Sequence, residues 1–373
     1  MLLETMDANA YTTPFQLTKS LRREIYPSID PKNPQLSAEG KTILITGATG
    51  GLGGVRTISS TSTHPQTDLS PQEVARAWAI AGAKAIVLVG RNTPLLEEPA
   101  AAVRALSPST QVLSLTADLS NETEVESLFT QSVAAFGTVD VVLHAAGSLA
   151  GGAVGDMSPS EWFRDYEINV KGSYILVHYY LKTLGTATGT FIIVGTLGAS
   201  FTAPGMSAYS GSKMALLKLA EYLDAEKANL RVFTVHPGIV AATESGRGMV
   251  VDALTPFAKD TGVQTGGLAL YLAKERADYL RGSFVSINCK LWHLGKRNLA
   301  LVVRVRFANM WQGMSMRWRR IRRRLRSRSC LSWRSWGRSW VLRDILGRTK
   351  GLHLCRSGAK LEKDQVNASV VKF

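Results

Sequence analysis

The sequence predicts an α/β fold built on a doubly wound parallel sheet, and three observations in residues 41–288 lead to it. Short β-rich apolar runs alternate with amphipathic segments along the whole stretch. The runs K-T-I-L-I-T, A-I-V-L-V-G and F-I-I-V-G are continuously apolar rather than alternating, as in strands covered on both faces. The first run leads straight into a glycine cluster, G-A-T-G-G-L-G-G, that begins at Gly47. Covered strands separated by helices imply a parallel sheet wrapped on both sides.

The elements follow in order. Residues 1–40 carry four prolines without periodicity and read as an extended arm. After the first strand and its glycines, residues 55–72 are rich in Ser and Thr, hold two prolines, and read as loop. The helical pattern begins only at E-V-A-R-A-W-A, and strand A-I-V-L-V-G follows. Joining Gly54 to Glu73 restores a strand–turn–helix–strand unit of ordinary length. Residues 55–72 therefore read as an insert, placed where a helix N-terminus would face an anion. Next come strand Q-V-L-S-L-T and a helix, N-E-T-E-V-E-S-L-F, with acids in its first turn. Strand V-D-V-V-L-H precedes a helical region through Trp162 to Leu184, and the run ending at Thr196 precedes the helix bearing Tyr209. Strand L-R-V-F-T-V-H, helix G-L-A-L-Y-L-A-K-E-R and strand G-S-F-V-S-I-N close the region. Ligands of such sheets bind beyond the carboxyl ends of the strands, where Gly47–Gly53, Gly147, Thr196 and Pro237 all fall.

Charge divides the chain of 373 residues, whose formal net charge is +15. Residues 289–373 hold 22 of the 44 Lys and Arg, 3 of the 29 acids, all three cysteines and six of the eight tryptophans. The first 288 residues are mildly acidic and free of cysteine, which excludes a disulfide framework there and suits a reducing compartment. The start, M-L-L-E-T-M-D, lacks the basic flank and apolar core of a secretory signal, and no apolar run reaches membrane-spanning length. A soluble, cytoplasmic protein without a membrane partner is expected.

Chemistry concentrates between Thr196 and Lys213. Tyr209 and Lys213, four apart at the start of a helix, share one face. A nearby ammonium favours the phenolate and makes tyrosine a usable proton donor or acceptor. Thr196, at a strand end, adds a hydroxyl that with the phenol would hold a carbonyl oxygen from two sides. Taken alone, the Tyr-x-x-x-Lys spacing describes a solvated helix face more often than a site. The glycine cluster after a strand suits a phosphate cradle, because bare backbone approaches a pyrophosphate closely.

Six motifs in order then resemble the single-domain branch of the short-chain dehydrogenase/reductase family, with a Rossmann-like sheet. T-G-A-T-G-G-L-G fits its Thr-Gly-x-x-x-Gly-x-Gly turn. H-A-A-G at 144–147 fits its Asn-Asn-Ala-Gly strand end, with both asparagines lost. Asn169 in E-I-N-V-K-G fits its helix asparagine, Thr196 stands where serine is usual, Tyr209 and Lys213 fit the signature pair, and H-P-G at 236–238 fits its nicotinamide loop. The leader Y-P-S-I-D-P is similar to an extension of some fungal members.

The resemblance implies NAD(P)-dependent interconversion of an alcohol and a ketone or aldehyde. Tyr209 would exchange the proton with the substrate oxygen, and Lys213 would lower its pKa and hold the nicotinamide ribose. Thr196 would orient the carbonyl, and Asn169 would hold a water in the proton relay. The cofactor would lie on Gly47, Thr49, Gly51, Leu52 and Gly53 of the turn, on Asp118 and Leu119 after the third strand, on Gly147, and on Pro237 and Gly238. Where an acid after the second strand would select NAD, this chain has V-G-R-N, so Arg91 favours NADP(H) over NAD(H). A homodimer or homotetramer is expected on the same ground. The turn also fits the Thr-Gly-x-x-Gly-x-x-Gly pattern of the extended branch, but the sequence after His236 is too short and regular for that branch's substrate domain.

The basic segment M-R-W-R-R-I-R-R-R-L-R-S-R, with its tryptophans, admits a nucleic-acid reading through phosphates and stacking. A translation-level account disfavours it. With Arg as AGG and Trp as TGG, a step of two bases at Met314 reads V-D-E-V-E-A-D-K-E-E-I-E-E-Q, an acidic amphipathic helix resembling the family's C-terminal end. Val55 admits a GT start and Gln72 a CAG end, the marks of an intron retained in frame. Residues 289–373 are expected to lack a packed core, since their charge repels itself.

Overall fold

Apolar β-rich runs without polar breaks make strands whose two faces both need cover. The computed structural model describes Asn9, Thr12 and residues 21–49, 71–200, 202–239 and 257–289. All of these lie in the unit Met1–Phe307, and the second unit, Ala308–Phe373, falls outside the described residues. The strands are β1 (Thr42–Thr46), β2 (Ala85–Gly90), β3 (Gln111–Thr116), β4 (Val141–His144), β5 (Gly189–Val194), β6 (Leu230–His236) and β7 (Phe284–Ser286). They form one seven-stranded sheet in the order β3-β2-β1-β4-β5-β6-β7, parallel throughout. Strand order reverses between β1 and β4, which opens the crevice such sheets use for ligands.

The helices are α1 (Pro71–Ile80), α2 (Pro94–Leu106), α3 (Glu122–Phe136), α4 (Pro159–Asp165), α5 (Gly172–Leu184), α6 (Ser207–Glu226) and α7 (Gly262–Leu272). The pleat divides β1 between two layers: Ile43 and Ile45 pack with Trp78 of α1 and Leu270 of α7, while Leu44 packs with Phe129 of α3, Tyr180 of α5 and Leu216 of α6. The expected doubly wound architecture is therefore the observed one.

Several local readings are sharpened. Helix α1 takes in Pro71 and Gln72, which the sequence reading gave to the loop; proline is tolerated in a first helical turn. The region read as helical through Trp162 to Leu184 starts at Pro159, under a capping box of Ser158 and Glu161. It is interrupted by a π-helical turn, Tyr166–Lys171. The leader read as an extended arm has two 3-10 turns, Pro27–Ile29 and Pro34–Leu36, and buries Tyr26, Ile29, Leu36 and Ala38 in the core. The insert apart from Pro71 and Gln72, and the basic tail from residue 290 on, lie outside the described residues.

Parallel register brings the strand ends level. Thr46 pairs with Val89 and His144, His144 with Ile193, and Val194 with Val235. Gly47, Arg91, Gly147, Thr196 and Pro237 thus leave the sheet at one edge.

Candidate active site

Tyr209 and Lys213 lie on the first turns of α6, facing the sheet. Their relative exposures of 3% and 2% rule out a solvated helix face. Lys213 Nζ donates to the carbonyl of Val194 at 3.0 Å and sits 5.9 Å from the centroid of the Tyr209 ring. An ammonium carries three donors, and this is its one hydrogen bond among the described residues. A Cβ placed on Gly147 would come 2.9 Å from Asn169 Oδ1 and 3.3 Å from Lys213 Nζ. Bare backbone at the exit of β4 is what lets the amide and the amine meet there.

Asn169 is fully buried within the π turn, a feature frequent at functional sites. Its Oδ1 accepts from the Ser148 amide at 2.8 Å, and its Nδ2 donates to the Ser148 carbonyl at 3.0 Å and to Ser212 Oγ at 2.9 Å. Ser212 Oγ in turn donates to the Tyr209 carbonyl at 2.8 Å. The side chain thus clasps the loop after β4 to the helix of Tyr209. Its own carbonyl accepts from Ser173 Oγ.

His144, where the family pattern has asparagine, joins the same network. Its Nδ1 meets Thr46 Oγ1 at 2.8 Å and its Nε2 meets Ser173 Oγ at 2.7 Å. Burial, aided by the Lys213 charge, pushes its pKa down to about 3, so the imidazole is neutral. One ring thereby links β1, β4 and α5, whose Ser173 bonds the Asn169 carbonyl.

Sequence reasoning missed Asp165, which is completely buried. Its carboxylate accepts from Ser148 Oγ at 2.5 Å and from the Ala150 amide at 2.9 Å. It stands four residues before Asn169, the spacing that puts two helical side chains on one face. Burial pushes the Lys213 pKa down to about 8, and the charge of Asp165 opposes that fall. Tyr209 lies above its ordinary value: burial raises it most, a hydrogen bond with the Thr196 side chain lowers it, and Asp165 raises it further. The lowering of the phenol expected from the lysine is not what decides its pKa: burial does, with Thr196 the group that works against it.

Thr196 follows β5 by two residues and caps the 3-10 turn Leu197–Ala199, its Oγ1 accepting from the Gly198 amide at 3.1 Å. Its own proton stays available to another acceptor. Behind it, the buried His236 ring accepts the Leu197 amide on Nδ1 at 3.3 Å, and burial pushes its pKa down to about 3. Pro237 and Gly238 follow directly, Gly238 at φ +82°.

At the other end of the crevice, Gly47 has φ +75°. Thr49 lies against the end of β2, since a Cβ on Gly90 would fall 2.5 Å from its Cγ2. Arg91 is exposed beside Asp118, whose carboxyl is held below its ordinary value by the amide and hydroxyl of Ser120, against burial, with the Arg91 charge adding to the effect. Leu119 is buried. Gly51, Leu52 and Gly53 lie outside the described residues. Among the described residues no cluster of three or more His, Cys, Asp or Glu is placed to hold a metal.

Comparison with known proteins agrees with this architecture. The family profile described as short chain dehydrogenase matches residues 71–250. The chain is 27% identical over 281 residues to the short chain dehydrogenase mpl6 of Monascus purpureus, covering 74% of this chain and 89% of that protein. It is 29% identical over 284 residues to pigC of Monascus ruber, covering 73% and 86%, and 28% identical over 212 residues to the tetrahydroxynaphthalene reductase of Pyricularia oryzae, covering 56% and 68%. Among solved structures it resembles levodione reductase, with a TM-score of 0.56 and 20% identity over 67% of this chain and 96% of that one. Over these spans the chain is similar to short-chain dehydrogenases and reductases, and the likeness supports an oxidoreductase.

Proposed function

We propose that the chain binds NADP(H) in preference to NAD(H) and interconverts an alcohol and a ketone or aldehyde. The observation that carries this reading is the burial of Tyr209 and Lys213 together, with Thr196 and Asn169 around them, at the strand-end edge of the sheet. The cofactor fits the residues present. A buried ammonium with donors to spare suits ribose hydroxyls, and the exposed Arg91 suits a 2′-phosphate.

When bound, the nicotinamide supplies or accepts the hydride. The protein's own part is to bind, orient and move a proton. Thr196 Oγ, already accepting from Gly198, donates to the substrate oxygen and fixes its direction. Tyr209 Oη gives that oxygen its proton in reduction and takes it back in oxidation. Lys213 shifts the phenol's balance toward ionisation, as a neighbouring ammonium does. Asn169 keeps Ser148 and Ser212 in place, and its carbonyl can accept from a relay water.

The relative named tetrahydroxynaphthalene reductase supports the reductive direction. Exposed aromatic and aliphatic groups at Phe163, Tyr174, Met214 and Tyr222, on α4, α5 and α6, support self-association as a homodimer or homotetramer. Among the described residues no helix is long and apolar enough to cross a membrane. The cysteine-free first 288 residues support the cytoplasm as its compartment. The dehydrogenase domain spans 41–288, preceded by an arm over 1–40 and followed by a basic tail over 289–373, for which the shifted-frame reading is favoured over nucleic-acid binding.

A second reading, an impaired enzyme, has its own support. The profile match begins at residue 71, beyond the glycine turn, as an insert between Gly54 and Glu73 would cause. A spectrophotometric screen of NADPH and NADH oxidation over a panel of ketones and aldehydes, run on the full chain and on a chain lacking 55–72, tests both. Turnover by neither protein overturns the enzyme reading.

A further inference from the structure

We propose that the leader is a positioning element of the active site, acting through an ion pair between Arg23 and Asp260 that locks the exit of β6 at Pro237–Ile239. This inference rests on the cofactor reading above, since it assigns the leader to the nicotinamide end of the site.

Asp260 has a side-chain exposure of 0%. Its Oδ2 accepts from the Ile239 amide at 2.7 Å and lies 2.9 Å from Arg23 Nη1. Its Oδ1 accepts from Asn288 Nδ2 at 2.6 Å. The backbone doubles the link, the Asp260 amide donating to the Ile239 carbonyl at 3.1 Å. The carboxylate also lies flat against Gly238, where a Cβ would fall 2.3 Å from Oδ2. One buried group thus joins the residue that follows Pro237–Gly238, the strand end at Asn288, and the leader.

The leader is fastened so that Arg23 can reach inward. The Arg22 amide donates to the Asn288 carbonyl at 3.0 Å, and Asn288 Nδ2 returns a 3.0 Å bond to the Arg22 carbonyl. Leu21 forms an antiparallel bridge with Cys289, and Gln264 Nε2 donates to the Glu24 carbonyl at 3.2 Å. Arg23 spends its other nitrogen on Asn9 Oδ1 at 2.8 Å and Thr12 Oγ1 at 3.2 Å. Among the described residues Arg23 is the cation paired with Asp260. Burial pushes the Asp260 carboxyl above its ordinary value, and the Ile239 amide, Arg23 and Asn288 work against that rise.

Removing the guanidinium leaves a buried carboxylate without its counter-charge, a strongly unfavourable state that relaxes by protonation or by water entry. Either change weakens its grip on the Ile239 amide. An ion pair that only held the leader down would have no bond to the β6 exit. This one shares a single oxygen between the leader and that exit, so loosening the leader is transmitted to the loop.

The test uses the full chain with Arg23→Met, Arg23→Lys and Asp260→Asn. Binding of NADPH and of 2′-phospho-ADP-ribose, which lacks the nicotinamide, is measured by titration, and amide exchange at Ile239 by mass spectrometry. Arg23→Met is expected to weaken NADPH about fivefold or more, roughly 1 kcal/mol, while 2′-phospho-ADP-ribose binding stays within about twofold. Exchange at Ile239 is expected to accelerate, and Arg23→Lys, which keeps the charge, to restore both readouts most of the way. Equal weakening of both nucleotides, or unchanged exchange at Ile239, overturns the inference. If Arg23→Met does not fold, Asp260→Asn replaces it under the same criteria. A wild-type chain that binds neither nucleotide overturns the cofactor reading instead, and exchange at Ile239 then decides the lock alone.

Discussion

Lys213 Nζ is bonded to the carbonyl of Val194, the last residue of β5, at 3.0 Å. Two residues further on stands Thr196, whose side chain is near enough to the phenol of Tyr209 to draw its pKa down against burial. Amine, hydroxyl and phenol are therefore fixed by one junction between a central strand and one helix, which gives the preorganisation an oxyanion site needs.

Burying that amine is costly, and the cost is measurable. The Lys213 pKa falls from 10.5 to about 8, so the buried ammonium opposes folding by about 3 kcal/mol at neutral pH. Replacing Lys213 by Met removes this opposition but forfeits the bond to Val194, worth about 1 kcal/mol. Lys213→Met is expected to melt a few degrees above wild type at pH 7 while losing activity. Between pH 8 and 10.5 the unfolded lysine holds a proton that the folded one has released, so wild-type stability rises and the variant's advantage shrinks. Melting curves at pH 7 and pH 10 check it; an advantage that grows with pH contradicts it.

Asp165 raises both Lys213 and Tyr209. Asp165→Asn keeps the shape facing Ser148 and Ala150 but removes the charge. In the alcohol-oxidising direction, where the phenol must be ionised, the acid limb of the kcat/KM profile is expected to move down by about half to one pH unit. An unmoved limb would mean that the charge of Asp165 does not reach the proton-transferring group.

Arg91 is the expected reader of the 2′-phosphate. Arg91→Ala is expected to weaken NADPH about tenfold and leave NADH within about twofold, as loss of a charge-assisted contact does. Equal effects on the two nucleotides would assign Arg91 to the shared part of the cofactor or to none of it.

Deleting residues 55–72 joins Gly54 to Glu73, so that a helix N-terminus again follows the glycine turn. NADPH binding is expected to tighten by at least about tenfold. Unchanged or weaker affinity counts against the insert. Sequencing the mature transcript across this segment and across Met314 tests the origin of both oddities: their presence in the message refutes the intron and frame readings.

The sheet was legible because its strands are unbroken apolar runs, and the strand ends fixed where Gly47, Gly147, Thr196 and Pro237 emerge. Helix α2 was not legible: Pro94 and Pro99 within P-L-L-E-E-P-A-A-A-V argue against a helix, although Pro94 occupies the first turn and Thr93 the cap. The π turn escaped for a similar reason, since Y-E-I-N-V-K continues the helical pattern and only the inward pull on Asn169 by Ser148 and Ser212 reveals it. Asp165 carried no motif to single it out, and His144 looked like a lost asparagine. Their roles depend on neighbours far away in sequence, Ser148 and Ala150 for one and Thr46 and Ser173 for the other. The leader looked extended because its prolines suppress periodicity, yet four of its side chains complete the core.

The central claim is that the buried phenol of Tyr209 passes the proton to and from the substrate oxygen. Its most direct measurement is NADPH oxidation by the full chain and by Tyr209→Phe, with the carbonyl compound that wild type reduces best. Tyr209→Phe is expected to bind NADPH within about twofold of wild type and to lose roughly a hundredfold or more in kcat, the usual scale of general acid–base catalysis. Turnover at the wild-type rate by a variant that binds NADPH normally would contradict the account.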